Sequence, residues 1–211
     1  KNQFGTTVND VVLAICAGAL RTYLKKHDEL PAVPLVAMVP VSVRTAEKKG
    51  TFGTRVTMLS APLPVQLADP VERLRVISDA MKVAKEHNAV GADLLQDFTQ
   101  FATPALAARA ARVAFRARMA DWMRPLYNLI VSNVPGPNHP LYLAGAKMSA
   151  FYPVSSVADG AGLNITVQSY MGSLDFGLVS CRELVPELWS LVDFLEDALA
   201  ELVDAARVAH H

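Results

Sequence analysis

Residues 163–181 read LNITVQSYMGSLDFGLVSC, and this stretch decides the fold class. Apolar and polar residues alternate from Leu163 to Gln168, which is the period of two that is typical of a β-strand. The short turn Met171-Gly172-Ser173 then leads into a second apolar run, Leu174 to Cys181. Two such runs around a glycine-containing turn predict a β-hairpin, so we expect the sheet to be at least partly antiparallel.

Strand and helix signals alternate along the rest of the chain. Apolar runs bounded by Pro or Gly predict four more strands: Leu35–Val43 with Pro40 inside it, Val56–Leu63, Leu126–Val134 before Pro135-Gly136-Pro137, and Leu141–Phe151. Helical spacing predicts helices at Thr7–Leu24, Asp69–His87, Leu94–Met123 with a break at Pro104, and from Pro186 onward. This order indicates an α/β fold, a mixed sheet with flanking helices, in a single domain of residues 1–211.

Two helix starts carry capping signals. Thr6 or Thr7 precedes the first helix, and Asp10 lies in its first turn, where the helix dipole favours a carboxylate. Asp69 precedes the second helix, and Glu72 completes a capping box there. These signals fix where both helices are expected to begin.

Composition narrows the classes of protein. Apolar residues make up 52% of the 211 residues, which is enough for a packed core. The 20 Lys and Arg equal the 20 Asp and Glu, a balance that argues against a nucleic-acid partner.

No apolar run is long enough to span a bilayer, and no signal peptide is recognised. The chain opens on Lys1 without a Met, so residue 1 is not expected to be the natural beginning. Cys16 and Cys181 are predicted to be buried free thiols in a cytoplasmic protein.

The sequence contains no recognisable catalytic or metal-binding motif of its own. Its five histidines lack a carboxylate or nucleophile at a meaningful spacing, and His87 is expected to cap the end of a helix. No Gly-x-Ser-x-Gly elbow, phosphate loop or metal-ligand cluster is present in the sequence. An α/β-hydrolase and a metalloenzyme are therefore not indicated.

Asn9 and Asp10 form the first candidate pair. On a helical wheel Asn9 shares its face with an apolar stripe that includes Val12 and Cys16, so its carboxamide needs hydrogen-bond partners. Asp10 lies about a quarter-turn away. Two interpretations stay open: a helix cap with a satisfied core amide, or a polar pair that forms one wall of a reaction tunnel.

Ser132-Asn133 and a set of arginines are the other candidates. Ser132 and Asn133 leave an apolar strand and enter a proline-bracketed glycine, which indicates either a plain turn or side chains directed into a cleft. Arg109, Arg112 and Arg116 fall on one side of an Ala-rich helix. That side is either simply solvated or a surface for membrane or phosphate binding.

Together these segments resemble the wax ester synthase/diacylglycerol acyltransferase family. The segments that carry the resemblance are TVNDVVLA (7–14), VPVSVR (39–44), SNVPGP (132–137) and the hairpin from Gly162 to Tyr170. They occur in the order expected for the C-terminal half of that family. The resemblance implies one lobe of a chloramphenicol-acetyltransferase-like fold, in which two similar lobes enclose a tunnel.

The resemblance also implies roles for single residues. Asn9, Asp10, Ser132 and Asn133 match positions that support the active site, with Asn9 or Asn133 polarising the substrate carbonyl. Asn164, Thr166 and Gly136 are expected to bind substrate, and Arg44 to form a structural pair with Asp10. The family's catalytic motif, His-His-x-x-x-Asp-Gly, is absent: Val154 and Ser155 stand where the histidines belong, before Asp159-Gly160. This chain alone is therefore expected to be inactive.

The whole enzyme implied by the resemblance transfers an acyl group from acyl-CoA to diacylglycerol or to a fatty alcohol. The expected partner of this chain is an N-terminal catalytic lobe. The enzyme is expected in the cytoplasm, or at the periphery of the inner membrane or of lipid droplets. No cofactor is expected beyond acyl-CoA, which is a substrate. Two alternatives remain: a condensation-type lobe that uses carrier-protein substrates, and a non-catalytic lobe that binds a lipid surface or a partner chain.

Overall fold

A five-stranded mixed sheet forms the centre of the protein in a computed structural model that describes residues 1–42, 56–101, 127–157 and 161–208. Its strands are β1 (Leu35–Ser42), β2 (Val56–Leu63), β3 (Leu129–Val134), β6 (Leu163–Tyr170) and β7 (Ser173–Ser180). Their spatial order is β2-β1-β3-β6-β7. β1 runs parallel to β3 and β3 parallel to β6, whereas β2 and β7 are antiparallel to their neighbours.

Three helices lie on one side of this sheet: α1 (Val8–Lys26) and α2 (Pro70–Phe101) contact its strands, and α3 (Leu188–Val208) packs against α1 and α2. Residues 12–20 of α1 are all buried, because their sequence, VLAICAGAL, is apolar or small on every side of the helix. Thr7, one of the two caps predicted for this helix, is its N-cap, and with Asp10 it forms a capping box. The mixed sheet with flanking helices confirms the fold class.

The β6–β7 hairpin matches its prediction most closely. Met171 and Gly172 have φ values of 50° and 85°, the conformation of a two-residue turn that follows the twist of the strands. Leu163, Ile165 and Val167 are buried under the helices, in register with Ser180, Leu178 and Phe176 of β7.

Several predicted boundaries were wrong. α2 does not end at His87 but continues to Phe101, so His87 lies inside a helix and is not its cap. The segment Leu141–Phe151 is not one strand: the pairs β4 (Tyr142–Leu143) and β5 (Ala146–Lys147) form a small hairpin apart from the main sheet. Cys181 is half-buried rather than buried, and both cysteines are free thiols. Among the helices of the described ranges, none is long and apolar enough to cross a membrane.

Candidate functional site

The face of the sheet that the helices leave uncovered carries a row of buried polar side chains on β6. These are Asn164, Thr166 and Gln168, which alternate with the core residues of the same strand. A buried polar group needs a hydrogen-bond partner, or its loss of hydration costs on the order of 1–3 kcal/mol. The partners of Asn164 and Thr166 in this row come from residues 148–157, which we call the covering segment.

Asn164 and Thr166 hold the covering segment through a short hydrogen-bonded chain. The Asn164 Nδ2 group donates to the Ser156 carbonyl at 3.0 Å. Thr166 Oγ1 lies 2.9 Å from both Asn164 Oδ1 and Ser155 Oγ. Because an amide oxygen only accepts and a hydroxyl carries one proton, Thr166 donates to Asn164 and accepts from Ser155. The chain thus fixes Ser155 and Ser156 over the middle of the sheet.

Two glycines allow the backbone to approach the sheet. A Cβ at Gly177 would lie 1.7 Å from the Pro153 carbonyl oxygen, and one at Gly136 would lie 2.0 Å from the Ser169 carbonyl oxygen. The Gly136 N–H donates to Ser169 Oγ at 2.9 Å. A Cβ added at Gly136 would also lie 2.4 Å from Gln168 Nε2. Gly136 is therefore needed for close packing of the loop after β3, whereas substrate binding by Gly136 stays a prediction.

The covering segment leaves large apolar side chains facing solvent. Val154 is 86% exposed, and Tyr152 on the same segment is exposed as well. The β4–β5 hairpin adds Tyr142 and Leu143, the latter 83% exposed. Four such side chains within 13 residues of chain are typical of a surface that meets another molecule. We call Tyr142, Leu143, Tyr152 and Val154 the apolar rim.

Asp10 belongs to a helix cap, as one interpretation expected, whereas Asn9 is not the satisfied core amide of that interpretation. Asp10 is the buried member of the pair: its Oδ2 accepts the Thr7 N–H at 2.9 Å and lies 3.4 Å from the Ser78 hydroxyl on α2. Its Oδ1 is buried and has no partner among the described residues. Asn9 is half-buried, and its carboxamide bonds no other described residue, so the structure does not place a satisfied core amide there. Arg44, the expected partner of Asp10, lies outside the described residues.

Ser132 and Asn133 belong to β3 and not to a turn, so their side chains point to opposite faces of the sheet. Ser132 is in register with Thr166 and shares its polar face. Asn133 is in register with Val167 and lies on the helix-covered side. The two residues therefore do not line a single cleft together, although both are half-buried near the end of the strand.

Neither cysteine has the properties of a nucleophile. Burial raises the pKa of the Cys16 thiol to about 12, so this thiol stays protonated at neutral pH. The Cys181 thiol donates to Glu183 Oε2 at 2.8 Å, and this hydrogen bond lowers the pKa of the Glu183 carboxyl. Within the described ranges, no group of three His, Cys, Asp or Glu side chains is arranged to hold a metal ion.

Sequence reasoning did not assign a structural role to several residues that shape the site. Ser155, Ser156 and Asp175 all bond across the covering segment, Asp175 by accepting the Phe151 N–H at 2.6 Å. The polar triplet on β6 was the available signal, because three alternating polar residues beside core residues require partners when both faces are covered. The arginines Arg109, Arg112 and Arg116 lie outside the described residues.

Comparison with known proteins places this geometry in a fold and a family. The structure aligns with a starter condensation domain of rhizomide synthetase at a TM-score of 0.52 and 14% identity, over 92% of the chain, a likeness that concerns the fold alone. It aligns with the wax ester synthase/diacylglycerol acyltransferase of Marinobacter aquaeolei VT8 at a TM-score of 0.75 and 39% identity, covering 97% of this chain and 45% of that one. These alignments place the chain in the class of proteins that have the fold of two-lobed acyltransferases.

The family follows from the sequence matches. Residues 52–203 match the model of the WS/DGAT C-terminal domain, and the chain belongs to this family. A putative diacylglycerol O-acyltransferase of Mycobacterium tuberculosis is 43% identical over 208 residues, 98% of this chain. The O-acyltransferase WSD of Acinetobacter baylyi is 40% identical over 198 residues, 93% of this chain. The chain spans only 41% and 42% of the length of these two relatives.

Proposed function

We propose that this chain is the C-terminal lobe of an acyl-CoA-dependent O-acyltransferase and shapes the substrate tunnel. The acyl group of an acyl-CoA passes to the free hydroxyl of diacylglycerol, giving triacylglycerol, or to a fatty alcohol, giving a wax ester. The names of the relatives, diacylglycerol O-acyltransferase and wax ester synthase, support this substrate class. No cofactor beyond acyl-CoA as substrate is part of the proposal.

The observation that carries the proposal is the helix-free face of the sheet. Its polar row is sealed by the covering segment, and the apolar rim projects beyond it. A tunnel for a long acyl chain needs apolar side chains on a rigid backbone, and the Asn164–Thr166–Ser155 chain supplies the rigidity. Val154 and Tyr152 then form part of the wall that a second lobe completes.

The general base is assigned to the other lobe. His27 is the C-cap of α1 and lies against the Tyr23 ring, at 4.6 Å between ring centroids. Neither His27 nor His139 bonds a described carboxylate or hydroxyl, so neither belongs to an acid–base pair in the described ranges. A histidine of the N-terminal lobe takes the proton of the acceptor hydroxyl, whose oxygen attacks the thioester carbonyl carbon. The C–S bond breaks, and the CoA sulfur leaves with the proton.

Asn9 and Asn133 are the proposed supporting residues in this lobe. They lie on the helix side, Asn9 in the first turn of α1 and Asn133 near the end of β3, so they are proposed to reach substrate at this edge of the sheet and not through the helix-free face. Both side chains are half-buried and bond no other described residue, so their amide groups are free to donate to an oxygen that gains negative charge. Asp10 acts through position: its buried carboxylate closes the capping box and fixes the first turn of α1, where Asn9 lies. Asn164 and Thr166 reach substrate only through the covering segment that they hold.

The location proposed for the whole enzyme is cytoplasmic, at the periphery of the inner membrane or of lipid droplets, where its acceptors are concentrated. The partner proposed for this lobe is the N-terminal lobe of the same enzyme. No nucleic acid takes part.

The test compares a full-length family enzyme carrying this chain with the chain alone, by release of CoA thiol. We expect release with diacylglycerol or a fatty alcohol from the full-length enzyme only, and from acyl-CoA in preference to an acyl carrier protein. Asn9→Ala is expected to lower kcat about tenfold to a hundredfold with unchanged folding, while Asn138→Ala in an exposed loop keeps the wild-type rate. Turnover by the chain alone would contradict the assignment of the general base to the other lobe. Wild-type kinetics in Asn9→Ala would contradict the supporting role of Asn9.

A further inference from the structure

A basic cavity lies on the helix side of the protein, between the C-terminal half of α1, the loop before α2, and α3. Its volume is about 420 Å³. Four cationic side chains line it, Arg21, Lys25, Lys26 and Arg73, against the single carboxylate of Glu201. This is a local excess of positive charge in a chain whose formal net charge is zero. Neither the acyl-transfer reaction nor the covering segment uses these residues.

Arg73 forms a fixed inner wall of the cavity. Its Nη1 group donates to the carbonyls of Leu67 and Ala68 at 3.1 and 2.9 Å, and its Nη2 group pairs with Glu201 Oε2. The side chain is buried, and its Nε has no partner among the described residues. Gly18 leaves room for this guanidinium, because a Cβ there would lie 3.2 Å from Arg73 Nη2. Arg73 and Glu201 therefore neutralise each other while keeping the cavity open.

The remaining cations are not neutralised equally. Lys26 pairs with Glu187 at 2.5 Å. Arg21 uses only Nη1, which donates to the carbonyls of Val65 and Gln66 at 2.8 and 3.0 Å. Its Nε and Nη2 groups, and the exposed ammonium of Lys25, meet no partner in the described part of the chain. Two cations without counter-charges thus line one cavity.

The spacing of these two cations adds an electrostatic reason for an anionic ligand. Arg21 and Lys25 are four residues apart on α1, so they lie on one side of the helix, where like charges repel. The backbone carbonyls at Val65 and Gln66 hold Arg21 in place and prevent it from turning away. Thr22, between them, also lines the cavity, but its hydroxyl donates to the Gly18 carbonyl at 3.3 Å, so Arg21 and Lys25 supply the free donors. An anion with several oxygens removes the repulsion and satisfies the free donors together.

We propose that this cavity binds a phosphate group, held by Arg21 and Lys25. Both guanidinium and ammonium groups bind phosphate oxygens through charge-assisted hydrogen bonds. The site is separate from the proposed reaction site, because Asn9 and Arg21 are 12 residues apart on α1 and thus about 18 Å along its axis. The phosphate belongs either to a soluble phosphorylated compound or to the headgroup of an anionic phospholipid.

Titration calorimetry of the full chain with inorganic phosphate, at constant ionic strength set with chloride, tests the site. We expect saturable binding that Lys25→Gln and Arg21→Gln each weaken about tenfold, since each removes one charge-assisted contact. Lys25 is exposed, so its replacement leaves folding intact even if Arg21→Gln disturbs the loop before α2. The matched control is Lys85→Gln, which removes an exposed lysine from α2, outside the cavity.

Vesicle flotation separates the two sources of phosphate. Flotation with phosphatidylcholine vesicles that contain phosphatidic acid, but not with phosphatidylcholine alone, and its loss in Lys25→Gln, identifies a lipid headgroup. Saturable binding of inorganic phosphate without flotation identifies a soluble phosphorylated ligand. The proposal is overturned if phosphate binds no more tightly than chloride, or if Lys85→Gln weakens binding as much as Lys25→Gln does.

Discussion

Cys16 shows how strongly the core of this protein disfavours charge. Its side chain has no solvent exposure, in the middle of the fully buried part of α1. A thiolate at that position would lose its hydration without gaining a counter-ion, which is why burial raises the pKa of the thiol from 9.0 to about 12. The shift is a property of the folded state, so it couples the stability of the protein to pH.

Cys16→Ala is expected to reduce the alkaline loss of stability. Between pH 9.0 and about 12 the unfolded chain releases the thiol proton and the folded chain retains it, so the free energy of unfolding falls as the pH rises. For the wild type this contribution amounts to about 1.4 kcal/mol between pH 8 and pH 10, and the alanine variant lacks it. Urea unfolding of both proteins at the two pH values measures the difference; parallel losses of stability would contradict it.

At the scale of elements, β6 is the strand on which both sides of the molecule depend. Leu163, Ile165 and Val167 anchor it to the helices, whereas Asn164 and Thr166 anchor the covering segment to its opposite face. The period of two in the sequence makes this division possible, because successive side chains of a strand point to opposite faces. Loss of one polar anchor therefore affects the covering segment before it affects the core.

Thr166→Val, which preserves shape but removes the hydroxyl, is expected to loosen the covering segment. It leaves Asn164 Oδ1 and the Ser155 hydroxyl without their shared partner, at a cost of about 1–3 kcal/mol in the free energy of unfolding. Urea unfolding measures this loss, and limited proteolysis is expected to cut within residues 148–157 earlier than in the wild type. Thr57→Val is the matched control, since the half-buried Thr57 side chain on β2 bonds no other described residue. Equal effects of the two variants would exclude the anchoring role.

Local signals in the sequence were sufficient to predict several elements. Thr7 caps α1 as its position before an apolar helix indicated, and the Asp69 side chain accepts the Glu72 N–H at 2.7 Å. The turn at Met171-Gly172 and the alternation before it predicted the β6–β7 hairpin. In each case the residues that determine the structure lie within a few positions of one another, so the physical cause is contained in the local sequence.

Features that depend on distant parts of the chain were not predictable. Arg73 is a charged residue in a helix that begins with strong local signals, yet it is buried because Glu201, 128 residues later, provides its counter-charge. Asp10 is buried because Ser78 of α2 packs against the first turn of α1, which a helical wheel of α1 alone does not contain. The residues after His87 looked like a helix break, although α2 passes through them. The weak helix propensity of that segment therefore does not end the helix.

At the scale of the whole molecule, the two faces of the sheet are covered by different elements. The helix side is closed, because α1 and α2 contact the sheet and α3 packs over both helices. The opposite side ends in the covering segment and the β4–β5 hairpin, from which the apolar rim projects into solvent. The chain spans 41% to 45% of the length of the curated relatives it matches, and the apolar rim is the reason for proposing the second lobe on this side.

The double variant Leu143→Ser/Val154→Ser is expected to weaken association with a separately produced N-terminal lobe at least tenfold. Both side chains are more than 80% exposed and belong to the apolar rim, and each loses about 1.5–3 kcal/mol of burial free energy on becoming polar. Trp189→Ser is the control, because Trp189 is equally exposed, at 84%, but lies in the first turn of α3 on the helix side. Binding is measured by calorimetry, and recovery of thiol release is followed in parallel. If Trp189→Ser weakens association and the double variant does not, the second lobe covers the helix side instead.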